Sequence, residues 1–474
     1  MEILHISAEC YPVAKAGGLG DVVGALPKYQ CKAGHFAKVV MPMYRTKFLY
    51  DNEWDVDFKG FAYLGNWRFE FTIIKEKTNK LGFDLYLVDI NGLLDRTKVY
   101  GYDDDSERFT AFQIAVLHWL NSWEHNPDVV HCHDHHTALL PFMMQHCIGF
   151  RNKLAKVPAV LTIHNAQYQG WMSWDKSTLI PEWDPWKWGM LDWKGMINPL
   201  ACGIKCAWQV TTVSHSYMDE LKQNSNGLES LFEYEKGKCS GILNGIDNEV
   251  WDPATDKYIN HHYDIETVTS GKQQNKDEIC EQFGLNKANP LFVFIGRLVG
   301  EKAAEILPGS ISNAIYQSQG KASFMVLGSG DPDLEQTLNE MKFNPHFTDS
   351  YNCYIGYQET LSHQLYAAAD FLLMPSRVEP CGLNQMYALR YGTIPMVRST
   401  GGLKDTVLDM GDLNGFGIRF DQPTESDLLY SIGRALDVYQ DDTHIAWMRK
   451  HMMAINHSWE NAVDNYITLY SNLK

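Results

Sequence analysis

The chain has 474 residues, of which 45% are hydrophobic and 21% charged, and 41 basic against 58 acidic side chains leave a net charge of −17. That length exceeds what one core supports and suits two domains, while the acidic balance repels polyanions, so nucleic acid is not an expected partner. No apolar run is long enough to span a bilayer and "MEILHISAEC" carries an acid where a signal peptide carries positive charge, so a cytoplasmic protein without a membrane partner is expected. The ten cysteines are scattered singly except for Cys202 and Cys206, and they read as reduced, mostly buried thiols.

From the N-terminus, "EILHIS" reads as a buried strand, "AKAGGLGD" as a glycine loop, "VVGALPKYQCKAG" as a helix ended by glycine and "AKVVMPMY" as the next strand, which is βαβ grammar. Lys15 and the glycines Gly17, Gly18 and Gly20, closed by Asp21, suit either backbone N–H groups converging on a phosphate or a tight strand-to-helix turn. This is not a dinucleotide fingerprint, because Val23 stands where the third glycine is required, and there is no GKS or GKT triplet to make a P-loop.

The strands "FDLYLVDI", "DVVHCH" and "AVLTIH" each end in polar residues that gather at one edge of a parallel sheet. The run "HCHDHH", His131 to His136, invites comparison with the HxHxDH ligand pattern of metallo-β-lactamase-like hydrolases. Its aspartate falls at Asp134, however, and His135 occupies the place the motif reserves for it, so a strand end whose polar groups line a cleft fits better. Six of the fourteen tryptophans crowd between Trp171 and Trp193, either to stack on sugar faces or to pack an irregular insertion.

Near Ile242 the pattern breaks into "LNGIDNEVWDPATDKYINHHYD", a domain boundary. It then restarts with strand-like "LFVFIGR", "ASFMVLGSG", "CYIGY", "DFLLMPSR" and "TIPMVRS". In "IGRLVGEK", Arg297 at a strand end and Lys302 five residues on are placed to hold one diphosphate or to be a surface pair. In "EPCGLNQMYALRYG", Glu379 falls in the turn between a buried strand and a helix, at the sheet edge where ligands bind, or as a carboxylate near a helix N-terminus. The last amphipathic stretch, "WENAVDNYITLY", can close the second domain or cross back to the first. Crossing back gives residues 1–242 completed by 456–474 as the first domain and 243–455 as the second, both doubly wound α/β.

Taken together, "AKAGGLGDVVGALPK", "PDVVHCHDHHTALLP", "LTIHNAQYQG", "GILNGIDNEVWDP", "LGSGDPDLE", "MPSRVEPCGLNQMYALRYGTIPMVRSTGGLKDTV" and "SWENAVDNY" resemble the bacterial glycogen synthase and plant starch synthase family over nearly the whole chain. The resemblance implies the GT-B fold, two Rossmann-like domains facing a central cleft. It also implies metal-free transfer of glucose, with retention, from the nucleotide sugar ADP-glucose as substrate to the non-reducing end of an α-1,4-glucan acceptor, with no cofactor. By the same resemblance Lys15 and the Gly17 and Gly18 amides face the donor phosphates, with Asp21 nearby, and Arg297 and Lys302 hold the diphosphate. The glucose site maps to Asp134, His164, Asn165 and Glu379 and to the turn Cys381, Gly382, Leu383 and Asn384, whose amides face the phosphates. Tyr357 matches a ring that stacks on adenine, Asn244 a polar residue near the sugar, and Tyr100 a weaker match there.

The chain departs from the family pattern at "EKA", Glu301 to Ala303, where QKG is usual, at Asn384 for a common Thr, at His135 for a Trp, and at Ala201 for a frequent lysine. None removes a diphosphate ligand. Three alternatives stay in view: a glucan-binding protein of this fold without activity, favoured by Ala201 and His135; a metallohydrolase built on "HCHDHH"; and the same transferase using UDP-glucose, because a ring such as Tyr357 does not by itself tell adenine from uracil.

Overall fold

The computed structural model describes residues 1–473; Lys474, at the end of the C-terminal segment, lies outside the described residues. The chain forms two compact units, one of Met1–Leu243 with the C-terminal segment from Trp459, the other of Asn244–Ser458.

The first unit carries β1 (Glu2–Ile6), β2 (Phe36–Pro42), β3 (Trp54–Leu64), β4 (Trp67–Glu76), β5 (Asp84–Asp89), β6 (Val129–His133), β7 (Ala159–Ile163), the short pair β8 (Asp192–Trp193) and β9 (Met196–Ile197), then β10 (Gln209–Thr212) and β11 (Cys239–Gly241). Nine of these form one sheet in the order β11-β10-β7-β6-β1-β2-β5-β4-β3. It is parallel as far as β5, with β4 and β3 added antiparallel. Strands β6 and β7 are buried along their whole length, as central strands of a parallel sheet covered on both faces are. Strands β3 and β4, not anticipated from sequence, join through Gly65 and Asn66, with Gly65 at φ 60°. A Gly-Asn pair between alternating segments is a hairpin signal.

The helix after β1 runs Gly18–Lys32 and so starts inside the glycine loop, four residues before the expected Val22. The C-terminal helix Trp459–Ser471 crosses back to the first unit. Its Trp459, Val463, Tyr466 and Tyr470 share a core with Ile3, Val22, Leu26 and Tyr29, a stripe at helical spacing that the second unit does not use.

The second unit carries β12 (Leu291–Leu298), β13 (Ser323–Gly330), β14 (Tyr351–Ile355), β15 (Phe371–Met374), β16 (Ile394–Arg398) and β17 (Ile418–Phe420), all parallel, in the order β14-β13-β12-β15-β16-β17. Apolar clusters cover both of its faces, as a parallel sheet requires. In each sheet the chain winds outward in both directions from one central pair: β1 and β6 in the first, β12 and β15 in the second. At such a pair the loops leaving the carboxyl ends diverge and open a crevice.

Candidate functional site

In the second unit, Arg297 lies at the end of β12, Lys302 follows β12 and Glu379 follows β15, so the central pair brings Lys302 and Glu379 together from far apart in sequence. Lys302 Nζ lies 2.5 Å from Glu379 Oε2, and Ser376 Oγ donates to the same oxygen at 2.8 Å. Glu379 is buried, 7% exposed. The next helix starts only at Asn384, so the Glu379 carboxylate is held by an ion pair and a hydroxyl rather than capping a helix. Arg297 is exposed and pairs with Glu301, Nη2 to Oε2 at 3.1 Å. The Glu301 carbonyl accepts from Arg377 N at 2.8 Å, tying the β12 loop to the β15 loop.

The Cys381–Asn384 turn is fixed from three sides. Gln385 Nε2 donates to the carbonyls of Cys381 and Gly382, each at 3.0 Å, and Asn384 Nδ2 donates to Ile295 O at 2.7 Å. Asn244 lies against the Cys381 thiol, whose pKa burial pushes up to about 12, and the buried Asn244 Oδ1 has no partner among the described residues. From the neighbouring helix Gly401–Thr406, Gly402 N donates to the Glu379 and Pro380 carbonyls at 3.1 and 3.2 Å. A Cβ on Gly402 would sit 2.0 Å from Cys381 O, and one on Gly382, at φ +72°, 2.3 Å from Gln385 Oε1, so both must be glycine. Tyr357, 78% exposed, presents its ring to solvent while its hydroxyl donates to Glu359.

In the first unit the loop after β1 holds Lys15, whose Nζ contacts Asp21 Oδ1 at 2.7 Å. The loop is organised by Glu9, which no local motif marks. Its Oε2 accepts from Ala16 N at 2.5 Å and Gly17 N at 2.9 Å, and its Oε1 from Tyr100 OH at 2.6 Å. The Gly17 amide, expected to face a phosphate, is therefore already bonded to a carboxylate in this structure. A Cβ on Gly17 or Gly18 would meet nothing within 4 Å, so the loop's outer side is open. Burial pushes the Glu9 carboxyl above its ordinary value, against hydrogen bonds from Tyr100, Ala16 and Gly17 that pull it down. Tyr100 also stacks on His136, ring centroids 4.5 Å apart.

Asp134 follows β6 with φ +57°. Its Oδ1 accepts from His164 N at 2.7 Å, and the Asn165 amide also bonds it, yet burial raises its pKa to about 7. Asp134, His164 and Asn165 thus form one corner at the ends of β6 and β7. His164 is kept neutral, its pKa lowered to about 3 by burial.

The histidines His5, His131 and His133 present nitrogens within 4.8 Å of one another, which revives the metal reading. All six of their ring nitrogens are hydrogen-bonded: His5 to His133 and Gln30, His133 to His164, and His131 to Thr162 and Tyr470. The rings of His131 and His133 stack at 4.3 Å and those of His5 and His133 at 5.4 Å. Stacked rings with satisfied nitrogens form a polar network, not converging lone pairs.

Ala201 is fully buried in the helix Pro199–Cys206, where its N–H meets the N-cap Asn198; a lysine ammonium would have no water there. His135 packs on His136, centroids 3.7 Å apart, with its Nδ1 buried and unpartnered among the described residues. The tryptophan-rich insertion divides between the two readings. Trp174 and Trp193 bond inward to Asp192 and Gly227, whereas Trp186 is 90% exposed.

Residues 2–234 match the family model of the starch synthase catalytic domain, and residues 289–436 that of the glycosyl transferases group 1. The chain is 50% identical to a glycogen synthase of Flavobacterium johnsoniae over 99% of both chains, and 36% identical to a glycogen synthase of Streptococcus pneumoniae over the whole of both. Among solved structures it is similar to the catalytic domain of starch synthase IV from Arabidopsis thaliana bound to ADP and acarbose. There the TM-score is 0.88 at 31% identity, with 100% of this chain and 99% of that one covered. Sucrose-phosphate synthase from Thermosynechococcus elongatus matches in fold, with a TM-score of 0.64 at 15% identity, covering 99% of this chain and 98% of that one.

Proposed function

The chain belongs to the glycogen synthase and starch synthase family, a glucosyltransferase of GT-B fold, and from that premise we propose that it moves glucose from ADP-glucose to the non-reducing end of an α-1,4-glucan with retention and without a resident cofactor. The observation that carries the proposal is the contact of the half-buried Lys302 with the buried Glu379 at the central strand pair of the second unit. There a cation and an anion serve the two charges that glucosyl transfer creates. As the bond from C1 to the phosphate oxygen breaks, the leaving diphosphate gains negative charge and the sugar ring positive charge. Lys302 and Arg297 stabilise the first, while Glu379 anchors the sugar's hydroxyls and favours the second. The acceptor's 4-hydroxyl oxygen then bonds to C1 and its proton passes to the departing phosphate.

Asp134, His164 and Asn165 hold the glucosyl unit, Asn244 and the Cys381–Asn384 turn the donor, and Lys15 with the Gly18 amide its phosphates, with Asp21 nearby and the Gly17 amide reaching them only by leaving Glu9. Tyr357, an exposed ring, stacks on the base. The choice of adenine is supported by the ADP carried by the Arabidopsis relative. The test supplies ADP-glucose or UDP-glucose with one glucan primer in the presence of chelator, and measures nucleotide release and chain growth. ADP release with elongation is expected. Turnover only with UDP-glucose overturns the donor, loss with chelator overturns the metal-free step, and binding without turnover overturns the activity of this chain.

A further inference from the structure

The network behind His164 runs in one direction. From Gln30 Oε1 it passes to His5 Nε2 at 2.7 Å, from His5 Nδ1 to His133 Nε2 at 3.1 Å, and from His133 Nδ1 to His164 Nε2 at 3.0 Å. A neutral imidazole donates from one nitrogen and accepts at the other, and His5, His131, His133 and His164 are all held neutral by burial. Each ring therefore passes its polarity to the next, and only two alignments of the whole chain are possible, related by a flip of the Gln30 amide.

The distances choose between them. At 2.7 Å the contact from Gln30 to His5 is the length of a ring N–H meeting a carbonyl oxygen and short for an amide N–H meeting a ring nitrogen. On its other side Gln30 Nε2 meets Tyr470 OH at 3.4 Å, a weak amine contact and too long for a phenol donating to a carbonyl, where about 2.7 Å is usual. Tyr470 OH instead reaches His131 Nδ1 at 2.6 Å, and His131 Nε2 reaches Thr162 Oγ1 at 2.6 Å. With Gln30 so oriented, His5 donates to it, His133 donates to His5, and His164 donates to His133. Of the eight nitrogens on the four rings, His164 Nδ1 alone has no partner among the described residues.

We infer that Gln30, His5 and His133 are positioning residues for His164: they hold it as the tautomer with the proton on Nε2, so that Nδ1 accepts a hydrogen bond from a hydroxyl of the glucosyl unit. The inference rests on the proposed place of His164 in the sugar site and adds what that ring does there. An accepting, neutral ring beside a sugar that becomes cationic avoids the repulsion an imidazolium would bring, and a fixed tautomer means no proton has to be relocated during transfer. The anchor lies in helix Gly18–Lys32 and beside the C-terminal helix, which gives the crossing back of that helix a part in the chemistry.

The test is the tautomer itself, read in the free wild-type enzyme by long-range ¹H–¹⁵N correlation on ¹⁵N-histidine-labelled protein, with the His164 signals identified by their loss in His164→Gln. A single Nε2–H form is expected; an Nδ1–H form or an average of the two overturns the inference. In Gln30→Leu, which removes the anchoring acceptor, the His164 signals are expected to move toward the average, with kcat falling roughly tenfold and donor KM changing less than about twofold. Wild-type signals and kcat in Gln30→Leu overturn it as well, and should that variant not fold, the wild-type spectrum decides. Because the spectrum is taken without substrate, a wrong tautomer condemns the histidine chain alone, whereas full activity in His164→Gln condemns the sugar-site role alone.

Discussion

Lys302 Nζ and Glu379 Oε2 lie 2.5 Å apart although 77 residues separate them in sequence. The pair joins the loops after the two strands from which the second sheet winds outward, and it decides how a carboxylate beside the proposed diphosphate-binding lysine should behave on mutation.

Glu379→Gln keeps the shape and removes the charge. If the carboxylate stabilises a cationic sugar, kcat should fall by a factor on the order of 10² or more. The same change frees Lys302 from its counter-ion, so ADP should bind at least as tightly as to the wild type. Turnover and ADP affinity, measured together with the thermal midpoint, check this. An active but less stable variant would return Glu379 to a structural role.

Glu301 stands where the family usually has glutamine, and its carboxylate pairs with Arg297. If Arg297 holds the donor diphosphate as proposed, the diphosphate has to compete with that carboxylate. Because Arg297 is exposed and solvent screens the pair, the effect is small: Glu301→Gln should lower donor KM about twofold to threefold, corresponding to roughly 0.5 kcal/mol. The gain should shrink in high salt. Donor KM at two ionic strengths is the measurement, and an unchanged KM at low salt removes the competition.

How far such contacts were legible in advance depends on whether they are local. Strand–loop–helix grammar marked the sheets, and the motif around Glu379 marked the turn, because both are written in consecutive residues. Glu9 in "SAEC" has no local signature; its partners are Ala16, Gly17 and Tyr100, and only the folded loop reveals it. His5 was hidden for the opposite reason, since a histidine inside "EILHIS" reads as one more buried strand residue. The hairpin β3–β4 did carry a signal, the Gly65–Asn66 turn between alternating segments. The direction of the C-terminal helix was open because an amphipathic stripe states that a face is buried, not against what.

Glu9 also yields a prediction. Its carboxylate satisfies two backbone N–H groups and a phenol while only 3% exposed. Glu9→Gln keeps one accepting oxygen for the two backbone N–H groups but deletes the charge that strengthens those bonds and the carboxylate oxygen to which Tyr100 donates, so stability should fall by about 1 to 3 kcal/mol. The Lys15 loop, no longer tied down, should also bind the donor less well. Chemical denaturation with donor KM checks both, and wild-type values in each would mean the loop holds itself.

The pH dependence separates the aspartate from the histidines beside it. Asp134 has its pKa raised by burial from 3.8 to about 7, whereas His164 is lowered to about 3. If the ionised Asp134 carboxylate must accept a sugar hydroxyl, kcat/KM of the free enzyme should rise with one ionisation near 7. His164, already neutral there, contributes no limb in that range. His164→Gln should therefore lower the plateau and leave the midpoint in place, and a midpoint that disappears in that variant would assign the limb to the histidine. Stability should run the opposite way to activity. A folded pKa above the unfolded value means that the Asp134 contribution is fully present below about 3.8 and is lost as the pH rises through about 7. Replacing Asp134 by Asn, which cannot ionise, should remove that loss. Between pH 5 and pH 8 the denaturation midpoint of the wild type should thus fall relative to that of Asp134→Asn, although the variant is the less active.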